Sequence, residues 1–305
     1  MAITIRLAEE RDRDQVLSLL NSSFSDIQRS SQERGIEYWD WKFLENPFGK
    51  AILTIAETEG KIIAVNNLWP WEFNVRGTIL KALQPCDSVV HPDFRGKGLF
   101  KQMRFHGLGL AKENGYSMLF NFPNKNSLPA YLSLGWHSLG KIEWRVKILK
   151  PLKLIGSITS KGKTEHVIIG KEYAIDTDLI DRIAGDNLSF DGYLKTNRIP
   201  GFHEWRYKEH PYRYYGMIVY EKGSRSTAAI FTINRNGANR EMVIVDFVGN
   251  EGFTNEVLDL ACKEGRSMDA SFLAVMENER YRTSELWKSG YVKARLKNMV
   301  VLPIT

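Results

Sequence analysis

The sequence predicts an α/β chain made of two similar halves, and three observations carry that prediction. A strand, a glycine-rich turn and a helix follow one another over residues 87–112. A tryptophan-led block occurs twice, as Trp41-Lys42-Phe43-Leu44-Glu45-Asn46-Pro47 and as Trp205-Arg206-Tyr207-Lys208-Glu209-His210-Pro211. The third is size: 305 residues, 43% of them hydrophobic and 11% aromatic, suffice for two packed units of about 150 residues.

Taken in order, Ile3, Ile5 and Leu7 alternate as a strand does, and Val16, Leu17, Leu19 and Leu20 fall on one side of a helix. The aromatic run 38–43 ends at Asn46-Pro47-Phe48-Gly49, a turn signal. Residues 51–57 and 61–68 read as a tight antiparallel hairpin about Glu59-Gly60. Trp69-Pro70-Trp71 then interrupts the pattern, and residues 81–91 form the next strand. His91-Pro92 stops it, because a residue before proline is pushed out of the helical region. After Arg95-Gly96-Lys97-Gly98 the pattern turns helical, with Leu99, Met103, Leu108 and Leu110 along one face.

Residues 118–122 are a buried-strand pattern, a short helix follows Asn124 and Ser127, and 137–149 is another strand. A stretch rich in Lys, Gly, Ser and Pro comes next, which divides the chain into 1–150, a linker 151–164, and 165–305. In the second half the tryptophan block is again followed by paired strands. Residues 241–248 and 272–276 and the segment Leu286 to Tyr291 repeat the later elements of the first half.

A strand, a glycine turn and a helix N-terminus present backbone N–H groups that lack intrahelical partners, backed by the positive end of the helix dipole. That arrangement suits a phosphate or pyrophosphate, and glycines let the ligand approach closely. Neither a Walker A loop nor a GxGxxG fingerprint is present.

Val90, Pro92, Phe94, Arg95 and Gly98 resemble the hallmark V-x-P-x-[FYW]-[RQ]-x-x-G-x-[GA] of the GNAT acyl-CoA transferase superfamily. Phe100 stands where that pattern more usually has glycine or alanine. Asn124, Ser127, Tyr131 and Gly135-Trp136 resemble its second block, N-x-x-[AS]-x-x-x-Y-x-x-x-G-[FYW]. The resemblance implies a mostly antiparallel, twisted mixed sheet flanked by helices, present here in tandem. It also implies acetyl-CoA as donor, with its pyrophosphate on the backbone of Arg95, Gly96, Lys97, Gly98, Leu99 and Phe100. Its pantetheine would run along Val89 and Val90, with Asn124 and Ser127 near the CoA arm. Tyr131 would protonate the departing thiolate.

An alkylammonium acceptor must lose a proton before it attacks, and Asp87, just before the loop, is the first candidate base, with Glu72 second. Trp39, Trp41 and Trp71 are candidate acceptor contacts. The second half has Val248-Gly249-Asn250-Glu251-Gly252 in place of the basic loop and Leu286 in place of Tyr131, so cofactor and chemistry are expected in the first half alone. A negative Glu251 would repel a phosphate.

The function expected is transfer of an acetyl group to a primary amine, a small-molecule amine or amino sugar. A longer-acyl or aminoacyl transferase and a non-catalytic CoA-binding scaffold are the alternatives. A net charge of +6 spread along the chain does not argue for nucleic acid. Two cysteines give no disulfide framework or metal motif, and no apolar run is long enough for a membrane span. A cytoplasmic monomer with no metal is expected.

Overall fold

The computed structural model describes residues 2–24, 33–125, 127–151, 164–185, 194–236, 239–277 and 283–304. Most of the expected linker therefore lies outside the described residues.

The first half opens with β1 (Thr4–Leu7), α1 (Arg13–Phe24) and α2 (Ile36–Trp39), and α2 runs into a single wide turn, Asp40–Leu44. The hairpin β2 (Ile52–Thr58) and β3 (Lys61–Val75) turns at Glu59 and Gly60, both at positive φ. Then come β4 (Thr78–Val90), α3 (Leu99–Glu113), β5 (Met118–Asn121), α4 (Leu128–Ser133) and β6 (His137–Ile148).

Here β3 runs straight through Trp69-Pro70-Trp71, where the sequence pattern breaks. Partner β2 reaches only Leu68 and the next strand pairing on that side begins at Phe73, so between them one side of β3 is an edge. The Pro70 carbonyl faces that edge, accepting from Asn46 Nδ2 at 2.9 Å, so its missing N–H removes no ladder bond. Helix α3 buries Leu99, Met103, Gly107 and Ala111, a stripe of fourth residues, and leaves Leu108 and Leu110 half-buried. Gly107 supplies what the apolar pattern hides. A Cβ there would stand 3.2 Å from Leu68 and 3.3 Å from Asn66, so the helix lies closer to the sheet than a larger residue would allow.

The second half contains β7 (Thr164–His166), a helix Thr177–Gly185, β8 (Lys195–Thr196) and a wide turn Glu204–Lys208. These are followed by β9 (Gly216–Lys222), β10 (Arg225–Asn236), β11 (Asn239–Gly249), a helix Thr254–Ser267, β12 (Phe272–Met276), a short helix Thr283–Lys288 and β13 (Val292–Pro303). All thirteen described strands join one sheet, ordered β1-β2-β3-β4-β5-β13-β6-β12-β11-β10-β7, with β9 on β10 and β8 on β3. It is mostly antiparallel. Parallel pairing occurs at β4/β5 and β11/β12.

The centre of the sheet is an exchange. The last strand of the chain, β13, lies between β5 and β6, and β6 pairs on its other side with β12. The expected break near residue 150 is thus a break in the chain but not in the sheet.

The two tryptophan blocks meet face to face. Trp41 and Trp205 stack with ring centroids 5.3 Å apart, and each indole N–H donates to the other's carbonyl, at 2.8 and 2.9 Å. Trp69, Phe202 and the half-buried Phe48 and Trp71 complete this inner cluster. Trp39 and Trp41 are 4% exposed and belong to packed cores, so they do not line an open acceptor site as expected from the sequence. Among the described residues no helix is long and apolar enough to cross a membrane, and no His/Cys/Asp/Glu group could hold a metal.

Candidate functional site

Strands β4 and β5 pair only at Ala82–Met118 and Leu83–Leu119, although β4 runs on to Val90 and β5 to Asn121. A bulge lies further along β4, within the unpaired stretch. Val65 faces Val89 and Asn67 faces Cys86, so Asp87 and Ser88 together oppose Asn66, and Asp87 takes φ +43°. Beyond Leu83 the backbone of β4, including Val89 and Val90, has no strand beside it on the β5 side among the described residues. The sheet is split there, and an extended ligand could add to that edge.

At the mouth of the split sits the glycine turn. Pro92–Phe94 makes one tight turn, Arg95 is extended, and Gly96 and Gly98 take φ of +76° and +72°. Nothing lies within 4 Å of a Cβ at Gly96, so the glycine is required by the backbone and not by space. Gly98 caps α3, whose first turn carries no acidic residue. Arg95, Gly96, Lys97 and Gly98 are exposed, Leu99 anchors the turn in the core, and Phe100 points outward. Arg95 Nε donates to the Val90 carbonyl at 3.1 Å, and Lys97 Nζ lies 4.6 Å over the Phe94 ring. The outcome is an open cationic turn in front of a helix N-terminus.

On the same face, α4 brings Tyr131 against Trp136, edge to face at 4.9 Å. Asn121 Nδ2 donates to the Tyr131 oxygen at 2.5 Å, which leaves the phenolic proton free to be given elsewhere. Burial pushes the Tyr131 phenol up, so it is protonated at neutral pH, although the Asn121 bond and the Arg104 charge pull the other way. Asn124 and Ser127 serve each other. Ser127 N donates to Asn124 Oδ1 at 2.9 Å, and Asn124 N to Ser127 Oγ at 3.1 Å, which starts α4.

Asp87 lies on the other face, with α2. Its carboxylate accepts from Tyr38 Oη at 2.8 Å, from Arg34 at 3.3 Å and from Lys42 Nζ. Burial alone would raise its pKa, but Lys42 and Arg34 outweigh that and hold it below the ordinary carboxylate range. The same surroundings push the Tyr38 phenol and the Cys86 thiol up to about 12, chiefly by burial. A carboxylate held charged by two cations is a weak proton acceptor and a firm anchor for the bulge. Glu72 is bound elsewhere, accepting from Asn197 Nδ2 at 2.9 Å, and His91 accepts from the Asp93 N–H as a turn cap.

Parts of this arrangement recur in the second half with different side chains. Strand β11 is bulged between Asp246 and Ile244, and Asp246 is paired with Arg198 and accepts from Tyr207 Oη at 2.8 Å, much as Asp87 is held. Yet Asn250 and Glu251 replace the basic turn, Glu251 has Lys195 at 3.9 Å, and Leu286 is 1% exposed in the core where Tyr131 would stand. A cavity of about 180 Å³ opens beside this bulge, lined by Leu194, Lys195, Arg198, Asp246 and Met276 among others.

Asn121, Arg104, Lys42 and Arg34 are the residues the sequence did not single out. Asn121 sat inside an apolar strand pattern, and Arg34 and Lys42 reach Asp87 only through tertiary contact.

Comparison with known proteins agrees with this geometry. Residues 4–139 match the family described as "Acetyltransferase (GNAT) domain". A conserved Enterococcus faecalis protein, a probable N-acyltransferase, superposes with a TM-score of 0.68 at 10% identity, covering 100% of this chain and 73% of its own. A GCN5-related N-acetyltransferase from Anabaena variabilis gives 0.67 at 15% identity, with 100% and 73% coverage. N-myristoyltransferase of Saccharomyces cerevisiae with bound myristoyl-CoA gives 0.57 at 12% identity, with 98% and 82% coverage. These likenesses speak for the fold. No curated protein matches the sequence. With the split strands, the glycine turn and the family match falling in the same residues, this part of the chain is similar to a GNAT acetyltransferase domain.

Proposed function

We propose that the chain is an acyl-CoA-dependent N-acyltransferase that moves an acetyl group to a primary amine, with its chemistry in the first half. The observation that carries this reading is the glycine turn at the N-terminus of α3, set at the mouth of the β4/β5 split and on the same face as Tyr131. Backbone N–H groups from Gly96 to Phe100 would hold the pyrophosphate. The free edge of β4 at Val89 and Val90 would pair with the pantetheine and polarise the thioester carbonyl. Tyr131, its oxygen engaged by Asn121, would give its proton to the departing sulfur. The amine would enter from the Asp87 face, where the aromatic cluster around Trp41 and Trp69 adjoins Cys86 and Tyr38.

A short acyl group is supported by the base of the split. Phe120 of β5 is 4% exposed and meets Phe73 edge to face at 5.0 Å, closing the sheet where a longer chain would pass. Phe120→Ala is expected to extend acyl-donor use from acetyl-CoA toward longer acyl-CoA by about tenfold in relative kcat/KM, the scale of a methylene or two in a pocket. An unchanged chain-length profile across a donor series would sink that assignment.

The test of the function is calorimetric titration of acetyl-CoA. One binding event per chain is expected in the wild type, and at least tenfold weaker binding in Arg95→Glu/Gly98→Asp, which reverses the local charge and strains the positive-φ cap. Two events per chain would show that the second half binds too. No binding at all in the wild type would favour the scaffold reading.

A further inference from the structure

We infer that Arg104 is a catalytic residue, the positive charge that stabilises the thiolate leaving from acyl-CoA beside Tyr131. This rests on the acyltransferase reading above.

Arg104 lies in the second turn of α3, with its guanidinium over the Tyr131 ring of α4. Its guanidinium is half-buried against three ring faces, 5.3 Å from Trp136, 5.6 Å from Tyr131 and 5.8 Å from Phe100. Several other inward-turned cations have carboxylates. Arg34 and Lys42 have Asp87, Arg145 has Glu143 and Glu277, and Arg6 has Asp12 and Glu57. Arg104 has no carboxylate or hydrogen-bond acceptor among the described residues, and the nearby Trp136 Nε1–H is also buried without one. Burial works against the charged form of Arg104, yet a guanidinium keeps its proton in proteins. The groove between α3 and α4 therefore holds a partly desolvated positive charge with no anion of the protein facing it.

A phosphate of CoA is the less suitable counter-charge. The backbone N–H groups that would hold the pyrophosphate open from the start of α3, whereas the Arg104 guanidinium is turned onto the rings of Tyr131 and Trp136. What Arg104 does adjoin is Tyr131, and each group's charge state influences the other.

The step balances as follows. The neutral amine nitrogen attacks the thioester carbon, forming C–N, the C–S bond breaks with its electron pair passing to sulfur, and the proton shed by the acylated nitrogen passes to water. Tyr131 gives its phenolic proton to that sulfur and regains one from solvent, while Arg104 stays protonated throughout. A fixed cation there lowers the energy of the charge on sulfur and eases the phenol's loss of its proton.

The experiment uses the full chain and CoA itself, following the ultraviolet absorbance of the bound thiolate against pH. Arg104→Gln should leave about tenfold less thiolate at a given pH, and Arg104→Lys should restore most of it. Desulfo-CoA, which lacks the sulfur, should bind wild type and Arg104→Gln within about twofold. Unchanged thiol ionisation in Arg104→Gln would overturn the assignment. So would an equal loss of desulfo-CoA affinity, which marks a binding contact only. Failure of wild type to bind CoA would instead sink the acyltransferase reading and this role with it. Should Arg104→Gln not fold, Arg104→Met keeps the packing against the three rings and is read in the same way.

Discussion

Trp205→Ala should destabilise the protein by about 3–5 kcal/mol, the range for deleting a buried large aromatic. Trp205 is 3% exposed, stacks on Trp41 and also touches Trp69, Trp71 and Phe202. Its loss also leaves the Trp41 carbonyl without a donor, because the Trp205 indole N–H supplies that bond. Trp205→Phe keeps most of the ring and loses the N–H, so it should cost about 1–3 kcal/mol. Trp41→Ala/Trp205→Ala should cost less than the sum of the singles, since both rings border one cavity. Urea denaturation followed by fluorescence and by circular dichroism measures all of these. The pair ties the two halves, so one coincident transition is expected for the wild type. Two separated transitions, or a Trp205→Ala cost under about 1 kcal/mol, would refute the claim that this contact holds the halves together.

Asp87→Asn should cost a similar amount, about 3–5 kcal/mol, for an electrostatic reason. The Asp87, Lys42 and Arg34 side chains are 11%, 12% and 15% exposed, so removing the carboxylate leaves two partly buried cations facing each other. Asp87→Asn/Lys42→Met should recover a good part of the loss, because it also removes one stranded charge. The sign of the pH effect follows from the lowered Asp87 pKa. An aspartate in the unfolded chain titrates near 3.9, above the folded value. The stabilisation is therefore complete above about pH 5 and is lost as pH falls through the folded pKa. Thermal melts from neutral to acid pH should show wild type and Asp87→Asn converging as the pH drops. Parallel curves would rule out the ion cluster as their source.

The parts of the fold legible in the sequence are those whose cause is local. The β2–β3 hairpin follows from Glu59-Gly60, and the strand–turn–helix at the site follows from Pro92 and the glycines that reach positive φ. The tryptophan block was visible because it recurs, but not that its two copies would stack on each other. Distant pairing left no such mark. Nothing in residues 292–303 says that they insert between β5 and β6. Pro70 argued against a strand that its edge position allows, and Gly107 hid the centre of the buried face of α3. At the site, Tyr131 and the glycine turn could be named from their spacing. Asn121, Arg104 and the cations around Asp87 could not, because each gains its role from a contact that closes only in the folded chain.

The strand exchange has a consequence for how the protein is made. Strand β5 leaves the ribosome with its outer edge open, and its partner β13 begins roughly 170 residues later. At a synthesis rate of about 5–20 residues per second, that edge waits roughly 10 to 30 seconds for its neighbour. Strand β6 waits nearly as long for both of its partners, β12 and β13. The nascent first half thus carries unpaired β-strand surface until the final segment emerges, the kind of exposed edge that invites aggregation. Codon changes that slow translation after residue 150 should lengthen that window and lower soluble yield, even though the finished protein is identical.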